Sequence, residues 1–280
     1  MSGILYLVAT PIGNLEDISF RAIRILKEVD LIAAEDTRNS IKLLNHYEIK
    51  TSMTSYHEFN KYDKAHELVD KLLQGMNIAL ITDAGTPGIS DPGEELVKQA
   101  LNSGITVSPV PGACAAVNAL IISGQNTRRF AFEAFLPGKK KEREEILQTL
   151  ENETRTIIIY EAPHHLKELL DDLLKHLGNR NLTIVKEITK KHETVFKTNL
   201  EEAIAFYKEE EPRGEYVLVI EGKTFEELKK EAQLSWQEQS IKEHYEMYLK
   251  EGLESKEAMS KVAKDRGISK RDVYKEVAVK

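Results

Sequence analysis

The stretch NIALITDAGTPGISDPGEELVKQALNSG, residues 77–104, contains a strand, a loop and a helix in immediate succession. Its first six residues are an apolar run that predicts a buried strand. Its last thirteen residues open with proline and end on glycine, as helices commonly do. Between them, DAGTPGISDPG (83–93) holds three glycines and two prolines. This segment is either a plain connecting loop or a backbone that lies close to a small ligand.

The same alternation of strand and helix extends through the first half of the chain. Apolar runs predict further strands at 3–9, 31–35 and 105–110. Helical spacing or helix-boundary residues predict helices at 18–29, 61–75 and 113–124. Strands separated by helices indicate a mainly parallel sheet covered on both faces, and therefore an α/β fold.

The second half resumes this pattern after an interruption at 130–144, which is interpreted as an interdomain connection followed by a helix start. Strands are predicted at 155–161, 181–188, 193–198 and 214–222, with helices at 163–178 and 200–210. The polar segment 223–240 is predicted to be a linker, and three short helical blocks follow it up to residue 280. The predicted domains are therefore 1–130, 131–222, and a linker with a C-terminal helical module over 223–280.

Composition narrows the functional classes. The chain has 280 residues, 41% of them hydrophobic and 30% charged, which is typical of a soluble globular protein. No apolar run approaches the roughly 18 residues that span a bilayer, and no signal peptide is expected, so we predict a cytoplasmic protein without membrane association. The single cysteine, Cys114, excludes an internal disulfide and a cysteine-rich zinc site.

Charge is unevenly distributed along the chain. The net charge is −7, yet residues 256–280 contain eight Lys or Arg against four Asp or Glu. This difference indicates a basic tail on an acidic body, or simply a helical tail with a solvated charged face. The overall acidity argues against a protein that coats nucleic acid non-specifically.

The glycine-rich loop does not fit the familiar nucleotide and hydrolase motifs. It has the glycine spacing of a Walker A loop but Glu94 in place of lysine, and GxGxxG is absent. Ser90 lies in GISDPG, one residue too long for a hydrolase elbow, and no HExxH zinc motif occurs. The loop's own acidic residues, Asp83 and Asp91, suit a cationic or neutral ligand better than a phosphate.

Two other loops share this character, at 9–17 and 110–116, and each follows a predicted strand. Ligands of open parallel sheets bind beyond the carboxyl ends of the strands. Three such loops on one sheet would line a single rim, which favours a small-molecule site there.

Eight motifs, in order, carry a resemblance to a known family: LYLVATPIGNLEDIS, AEDTRNS, LITDAGTPGISDPGEELV, VSPVPGACAAVNAL, FEAFLPGKK, YEAPHHL, KEITKKHET and RGEYVLVIEG. Together, over about residues 3–222, they closely resemble the small-subunit ribosomal RNA cytidine-2′-O-methyltransferases of the tetrapyrrole methylase superfamily. His165 and Lys186 depart from the pattern, because each stands where an arginine is usual. A bidentate arginine contact is therefore not available at these positions.

This resemblance implies two α/β domains with S-adenosylmethionine (SAM) in the cleft between them, usually in a homodimer. It also implies methyl transfer to a cytidine ribose 2′-hydroxyl in the decoding region of small-subunit rRNA. The partner would be that rRNA or the assembled 30S subunit. The residues expected to contact SAM are Pro11, Ile12, Asp83, Ala84, Gly85, Thr86, Pro87, Gly88, Ser90, Asp91, Gly112, Ala113, Phe135, Leu136, Arg213, Gly214 and Glu215.

A ribose hydroxyl is a weak acid, so a general base or a positive neighbour would assist the reaction. The side chains considered for this role are Glu35, Asp36, Arg38, His164, Lys186 and Glu187. We predict catalytic roles for Lys186, Glu187, Asp36 and Arg38. The alternatives are surface exposure for the first two and a structural ion pair for the last two. No metal ion is required.

Contact with RNA needs cations, which make binding salt-dependent. The densest basic run lies beside the predicted cleft, and the C-terminal blocks add others. The residues predicted to contact RNA are Lys139, Lys140, Lys141, Arg143, Lys264, Arg266, Lys270 and Arg271. The C-terminal helices could equally be a cap packed on the body.

Two alternative functions remain open on the sequence. One is methylation of a precorrin-type tetrapyrrole, which would use a similar SAM pocket but needs no basic run. The other is a ribosome-assembly factor that keeps the fold without catalysis, which the intact DAGTPGISDPG loop disfavours.

Overall fold

The first sheet has five parallel strands, in the order β3-β2-β4-β1-β5, in a computed structural model that describes residues 2–278. Met1 and residues 279–280, the end of the last predicted helical block, lie outside the described residues. The strands are β1 (Ile4–Val8), β2 (Leu31–Ala34), β3 (Met53–Ser55), β4 (Ile78–Ile81) and β5 (Thr106–Val110). Registers such as Leu5 opposite Ile78 fix the pairing.

Helices cover both faces of this sheet, as predicted for an α/β fold. They are α1 (Phe20–Glu28), α2 (Thr37–His46), α3 (Lys61–Leu73) and α4 (Gly93–Asn102), and a further helix, α5 (Ala115–Ser123), follows β5 in the chain. In α1 the buried residues Ala22, Ile25 and Leu26 follow helical spacing, and Ser19 caps the first turn by accepting from the Ala22 amide. Separate apolar cores lie on the two sides of the sheet.

The second sheet is mixed, in the order β6-β7-β10-β8-β9, and only β6 and β7 pair in parallel. Its strands are β6 (Phe130–Phe135), β7 (Thr156–Glu161), β8 (Asn181–Lys186), β9 (Thr194–Asn199) and β10 (Tyr216–Ile220). The helices α6 (Lys140–Leu150), α7 (Leu166–Leu177) and α8 (Leu200–Glu209) pack on one face around a leucine-rich core.

The prediction of an interdomain connection at the start of 130–144 was wrong. Phe130–Phe135 is a strand at the edge of the second sheet. Its pairing with β7 is interrupted between Phe132 and Phe135, where Ala134 has a positive φ of 55°. A bulge of this kind bends an edge strand and obscures its pattern in the sequence.

Helix α5 follows the first sheet in the chain but packs against the second. Its residues Ala116, Ala119 and Leu120 share a buried core with Ile158 and Val217. Both ends of α5 are also tied to that sheet: the Tyr160 hydroxyl accepts from the Ala116 amide at 2.8 Å, and Thr183 donates to the Ser123 carbonyl at 3.0 Å. The helix therefore joins the two sheets.

The chain forms two compact units, the first comprising residues up to Glu151 with Arg155–Glu221, and the second comprising Asn152–Thr154 with the chain from Gly222 onward. The second unit contains α9 (Phe225–Ser235), α10 (Ile241–Lys250), α11 (Ser255–Arg266) and α12 (Lys270–Ala278). The prediction of a linker over 223–240 was wrong, because this segment contains the helix α9. Thr224 and Glu227 form a capping box at the start of this helix. Within residues 2–278, the helices are all too short or too polar to cross a membrane.

Candidate active site

A cavity of about 500 Å³ lies between the carboxyl ends of the first sheet and the facing edge of the second. Its size falls within the roughly 300–1,000 Å³ of small-molecule sites. The residues that line it are Ile12, Glu35, Thr82, Asp83, Ala84, Gly85, Thr86, Ile89, Ser90, Asp91, Cys114, Ala115, Phe135, Tyr160, Glu161, Ala162, Pro163, Ile188, Glu215, Tyr216 and Val217. Both halves of the first compact unit therefore contribute to one site.

The loop that follows β4 is held in shape by Asp91. Its carboxylate accepts hydrogen bonds from the amides of Gly88, Ile89 and Gly93, at 2.7–3.2 Å. The other end of the loop is fixed by Gly85, whose amide and carbonyl both bond to Thr10 at the end of β1. Hydrogen bonds within the protein therefore fix both ends of this loop.

Gly85 shows why a side chain is excluded from this wall. Its φ is +87°, a conformation that favours glycine. A Cβ atom added there would lie 3.2 Å from Cγ2 of Ile12 and 3.5 Å from the carbonyl oxygen of Ala113. Backbone atoms can thus approach a ligand closely at this point, which fits the polar edges of SAM.

Acidic side chains gather on the first-sheet side of the cavity. Thr82 donates a 2.5 Å hydrogen bond to Glu35, and Asp83 accepts from the Asp36 amide and from Asn39. Burial, reinforced by the neighbouring Glu35, raises the pKa of Asp83. Such carboxylates attract positive charge, and SAM carries a sulfonium and an ammonium. The donor set therefore fits the cofactor.

Asp36 and Arg38 form a helix cap and an ion pair at the edge of this cluster. Asp36 is the N-cap of α2, its carboxylate accepting from the Arg38 amide, and the Arg38 guanidinium lies 2.7 Å from it. These hydrogen bonds from Arg38 lower the pKa of Asp36 to about 2. Neither residue lines the cavity. This arrangement suits a structural role better than proton abstraction.

Aromatic residues form the opposite wall. The Phe135 and Tyr160 rings meet edge to face, with centroids 5.4 Å apart, and Phe135 is 56% exposed. Burial raises the pKa of Tyr160 to about 12, so its hydroxyl stays neutral and serves α5 as a hydrogen-bond acceptor. Flat apolar surfaces of this kind suit the adenine ring of SAM.

Lys186 and Glu187 lie outside the cavity lining. Glu187 accepts hydrogen bonds from the Glu215 amide and from Lys190, each 2.9 Å long. Burial opposes the change, but these bonds lower the pKa of Glu187 overall. Its side chain also fills the space beside Gly214, where an added Cβ would lie 2.6 Å from it. Glu187 thus holds the turn before β10 in place.

The predicted SAM residues divide into two groups. Those that line the cavity are Ile12, Asp83, Ala84, Gly85, Thr86, Ser90, Asp91, Phe135 and Glu215. Those outside its lining are Pro11, Pro87, Gly88, Gly112, Ala113, Leu136, Arg213 and Gly214. Most of the second group are chain neighbours of lining residues, and Leu136 packs against the second-sheet core.

Sequence reasoning missed the wall formed by residues 160–163 and 216–217. These residues lie at the carboxyl end of β7 and at the start of β10. The signal was present, because YEAP follows a predicted strand just as DAGTPG does.

The basic residues predicted to contact RNA are in different environments. Lys139, Lys140 and Lys141 are exposed at the start of α6. Arg143 is instead 5% exposed, with its guanidinium 2.8 Å from Asp172 and paired with Glu168. Its helical position turns it inward, so its placement does not fit the predicted RNA contact.

In the second unit, Lys264, Lys270 and Arg271 are exposed. Arg266 donates to Nδ1 of His244 and to the carbonyls of Gln239 and Ser240. Arg266 therefore holds the start of α10. Of the other three, Lys270 donates to the Lys256 carbonyl at 2.8 Å. No metal-binding cluster of His, Cys, Asp or Glu occurs within the described residues 2–278.

Solved structures of other proteins share this fold. A uroporphyrin-III-C-methyltransferase from Thermus thermophilus aligns over 78% of this chain and 94% of its own, with a TM-score of 0.56 and 20% identity. Diphthine synthase aligns over 79% and 91%, with a TM-score of 0.61 and 14% identity. At these identities the similarity concerns the fold alone.

Residues 4–204 match the family model of Tetrapyrrole (Corrin/Porphyrin) Methylases, and the chain belongs to this family. Among its relatives is the Ribosomal RNA small subunit methyltransferase I of Halalkalibacterium halodurans, 52% identical over 97% of this chain and 93% of that protein. The proteins of that name from Bacillus subtilis and Synechocystis are 50% and 48% identical, again over 97% of this chain and covering 93% and 96% of theirs. The chain is a methyltransferase, and SAM is its methyl donor.

Proposed function

We propose that this enzyme methylates the ribose 2′-hydroxyl of a cytidine in the decoding region of small-subunit rRNA, acting in the cytoplasm on the rRNA or the assembled subunit. The similarity to Ribosomal RNA small subunit methyltransferase I, which extends over 97% of the chain at 52% identity, carries this proposal. The exposed lysines at 139–141 support an RNA substrate over a tetrapyrrole, which needs no basic run.

The walls of the cavity support methyl transfer by alignment. Bound SAM supplies a methyl group on a cationic sulfur, already activated for displacement. The backbone of the loop after β4, which the Asp91 carboxylate holds through hydrogen bonds, would contact the polar edges of SAM. Glu35 and Asp83 would face the positive groups of SAM. Phe135 and Tyr160 would cover the adenine and exclude water. Orientation and exclusion of water are large contributions in such a reaction.

RNA would be held through phosphate contacts. In the first unit the contact surface would be Lys139, Lys140 and Lys141 at the start of α6. In the second unit it would be Lys264, Lys270 and Arg271, within a segment whose basic residues outnumber its acidic ones by eight to four. Each lost phosphate contact would reduce the salt dependence of binding by about 0.7–0.9 in log–log slope.

The deciding experiment incubates the enzyme and tritiated SAM with unmodified small subunits, with naked small-subunit rRNA and with a precorrin. Label in the subunit or rRNA, located by nuclease digestion and mass spectrometry as 2′-O-methylcytidine, supports the proposal. Label in the precorrin would favour the tetrapyrrole alternative. Absence of label from all three substrates would favour the non-catalytic assembly factor.

A variant with Lys139, Lys140 and Lys141 changed to Gln tests the RNA surface. We expect its salt slope for subunit binding to fall by about 2–3, with unchanged SAM affinity. Lys208→Gln, exposed on α8, is the matched control and should keep the wild-type slope. Equal salt slopes for the two variants would show that the lysines at 139–141 do not contact the RNA.

We also infer a homodimer that uses the outer face of α5. Val117 and Ile121 lie one turn apart on this helix and are 47% and 63% exposed, and Ile122 beside them is 38% exposed. Exposed apolar patches of this kind mark protein contacts. Val117→Glu combined with Ile121→Glu should give a monomer in sedimentation velocity. A wild-type monomer, or a dimeric variant, would contradict this assignment.

A further inference from the structure

Glu161 is a buried carboxylate that faces the cavity. It is the last residue of β7, 8% exposed, and it lines the site from the second-sheet side. One oxygen, Oε1, accepts a hydrogen bond of 2.7 Å from the amide of the next residue, Ala162. Among residues 2–278, no donor is bonded to its other oxygen. A carboxylate left this way beside a cavity has an open acceptor for a ligand.

The other carboxylates on the first-sheet side of the cavity are already engaged within the protein. Glu35 accepts hydrogen bonds of 2.5 Å from the Thr82 hydroxyl and 3.4 Å from the Asp83 amide, both through Oε2. It is only partly buried, whereas Glu161 is buried. Both oxygens of Asp83 accept hydrogen bonds, one from a backbone amide and one from a side chain. Asp91 accepts from three backbone amides. These groups shape the cavity, and a proton transfer would disturb the hydrogen bonds that they make.

On the second-sheet side, Glu215 also lines the cavity, but its side chain is 77% exposed and pairs with Lys190 at 2.9 Å. The charge of Glu215 is thus already compensated by a cation of the protein. Glu161 differs from it in being buried and in forming no ion pair within the described residues 2–278.

We propose that Glu161 is the catalytic base, which accepts the proton of the hydroxyl that becomes methylated. This inference rests on the proposed function. As the hydroxyl oxygen forms its bond to the methyl carbon, its O–H bond breaks and the proton passes to the Glu161 carboxylate. The methyl–sulfur bond breaks at the same time, and its electron pair stays on sulfur as the neutral thioether. The carboxylic acid then returns its proton to water.

The surroundings of Glu161 tune it for this role. Burial raises its pKa, against the opposing effects of the Ala162 amide and of the nearby His165, His164 and Arg143. A general base works best when its pKa approaches the working pH. The other titratable groups that line the cavity are Glu35, Asp83, Asp91, Cys114, Tyr160, Glu215 and Tyr216.

The test compares the wild-type enzyme with Glu161→Gln, which preserves the size of the side chain and the hydrogen bond from Ala162. We expect single-turnover methyl transfer to fall at least 100-fold. SAM affinity by calorimetry and subunit affinity by filter binding should both stay within threefold. The exposed Glu209→Gln on α8 is the matched control and should keep wild-type values in all three assays.

Two further measurements separate a base from a structural residue. The wild-type rate should rise with pH through the pKa of Glu161, and Glu161→Gln should lose this acidic limb. Infrared difference spectra of the SAM-free proteins should show a carboxyl titrating above the ordinary glutamate range in the wild type and absent from Glu161→Gln. Glu161→Asp, which shortens the reach, should retain more activity than Glu161→Gln.

Either of two outcomes overturns the inference: Glu161→Gln transfers methyl within threefold of the wild type, or its SAM affinity falls in parallel with its rate. The second outcome would make Glu161 a cofactor-binding residue. A wild-type enzyme that labels no rRNA substrate would instead contradict the proposed function. The two failures are therefore distinguishable.

Discussion

On the first-sheet side of the cavity, Asp83 and Asp91 accept hydrogen bonds from the protein through both carboxylate oxygens, whereas on the second-sheet side the buried Glu161 keeps one oxygen open. Asp91 accepts from three backbone amides, and Asp83 from an amide and a side chain. Glu161 has a single bond, from the adjacent residue. We infer that the carboxylates on the first-sheet side maintain the shape of the cavity, whereas Glu161 on the second-sheet side can interact with a bound cofactor or substrate.

The largest effect should come from the buried charge that supports the second-sheet side. Arg143→Met would leave Asp172, which is 8% exposed, without its partner. Removing one member of a buried ion pair costs about 3–5 kcal/mol, so we expect that loss in urea unfolding. Lys139→Met, at an exposed pair in the same helix region, should change stability by less than about 0.5 kcal/mol. A stable Arg143→Met with weakened RNA binding would restore the role that the sequence predicted.

The next effect tests the shape-keeping side. Asp91→Ala would remove the carboxylate that accepts hydrogen bonds from three backbone amides of the loop. The loop should lose its form, and SAM should bind more than 100-fold more weakly in calorimetry. Glu94→Gln, exposed nearby in α4, is the control and should bind normally. Unchanged SAM affinity in Asp91→Ala would mean that the loop does not form the cofactor wall.

A smaller effect separates backbone strain from crowding of the site. Gly85→Ala and Gly104→Ala both place a side chain at positive φ, +87° and +71°, which costs about 1–2 kcal/mol. Only at Gly85 does the added Cβ meet neighbours, at 3.2 Å from Ile12. Both variants should lose similar stability in thermal melts, and only Gly85→Ala should lose SAM affinity, by about tenfold. A loss of SAM affinity in both variants would indicate that reduced stability of the whole protein, and not crowding at Gly85, weakens SAM binding.

The smallest effect concerns the Asp36–Arg38 cap at the edge of the first-sheet cluster. Because the pKa of Asp36 is lowered to about 2 in the folded protein, its stabilising contribution is present above the ordinary carboxyl pKa near 3.8 and is lost as the pH falls towards 2. Asp36→Asn should lack this part of the pH dependence of melting between pH 5 and 2. Asp171→Asn, exposed on α7, should keep it. Identical profiles for the two variants would contradict the assigned cap.

Periodicity and strand ends made the α/β fold and the first-sheet wall predictable, because an apolar run such as IALI followed by DAGTPG carries its own local signal. Three features escaped. The bulge at Ala134 interrupts the alternating pattern by which the edge strand β6 could have been predicted. The polar composition of α9 led to the prediction of a linker, although a capping box begins at Thr224. The burial of Arg143 depends on Asp172, 29 residues away in the chain, which no local pattern reveals.

The candidate site was predictable where glycines mark it and unpredictable where ordinary side chains do. Gly85 and Asp91 lie in a conspicuous loop, but Glu161 looks like any strand-terminal glutamate. Its position beside the cavity results from the antiparallel pairing that sets it opposite Tyr216. That pairing joins segments more than fifty residues apart in the chain. The position of Glu161 beside the cavity is therefore evident from the structure and not from a local sequence pattern.

The attachment of α5 has a consequence for how the polypeptide can be divided. Because Tyr160 and Thr183 hold the two ends of a helix encoded before β6, cleavage in the segment between α5 and β6 would leave each fragment with half of a shared interior. Fragments produced separately should be poorly folded alone. Mixed, they should reassemble and regain methyl transfer, as in a split-enzyme reporter.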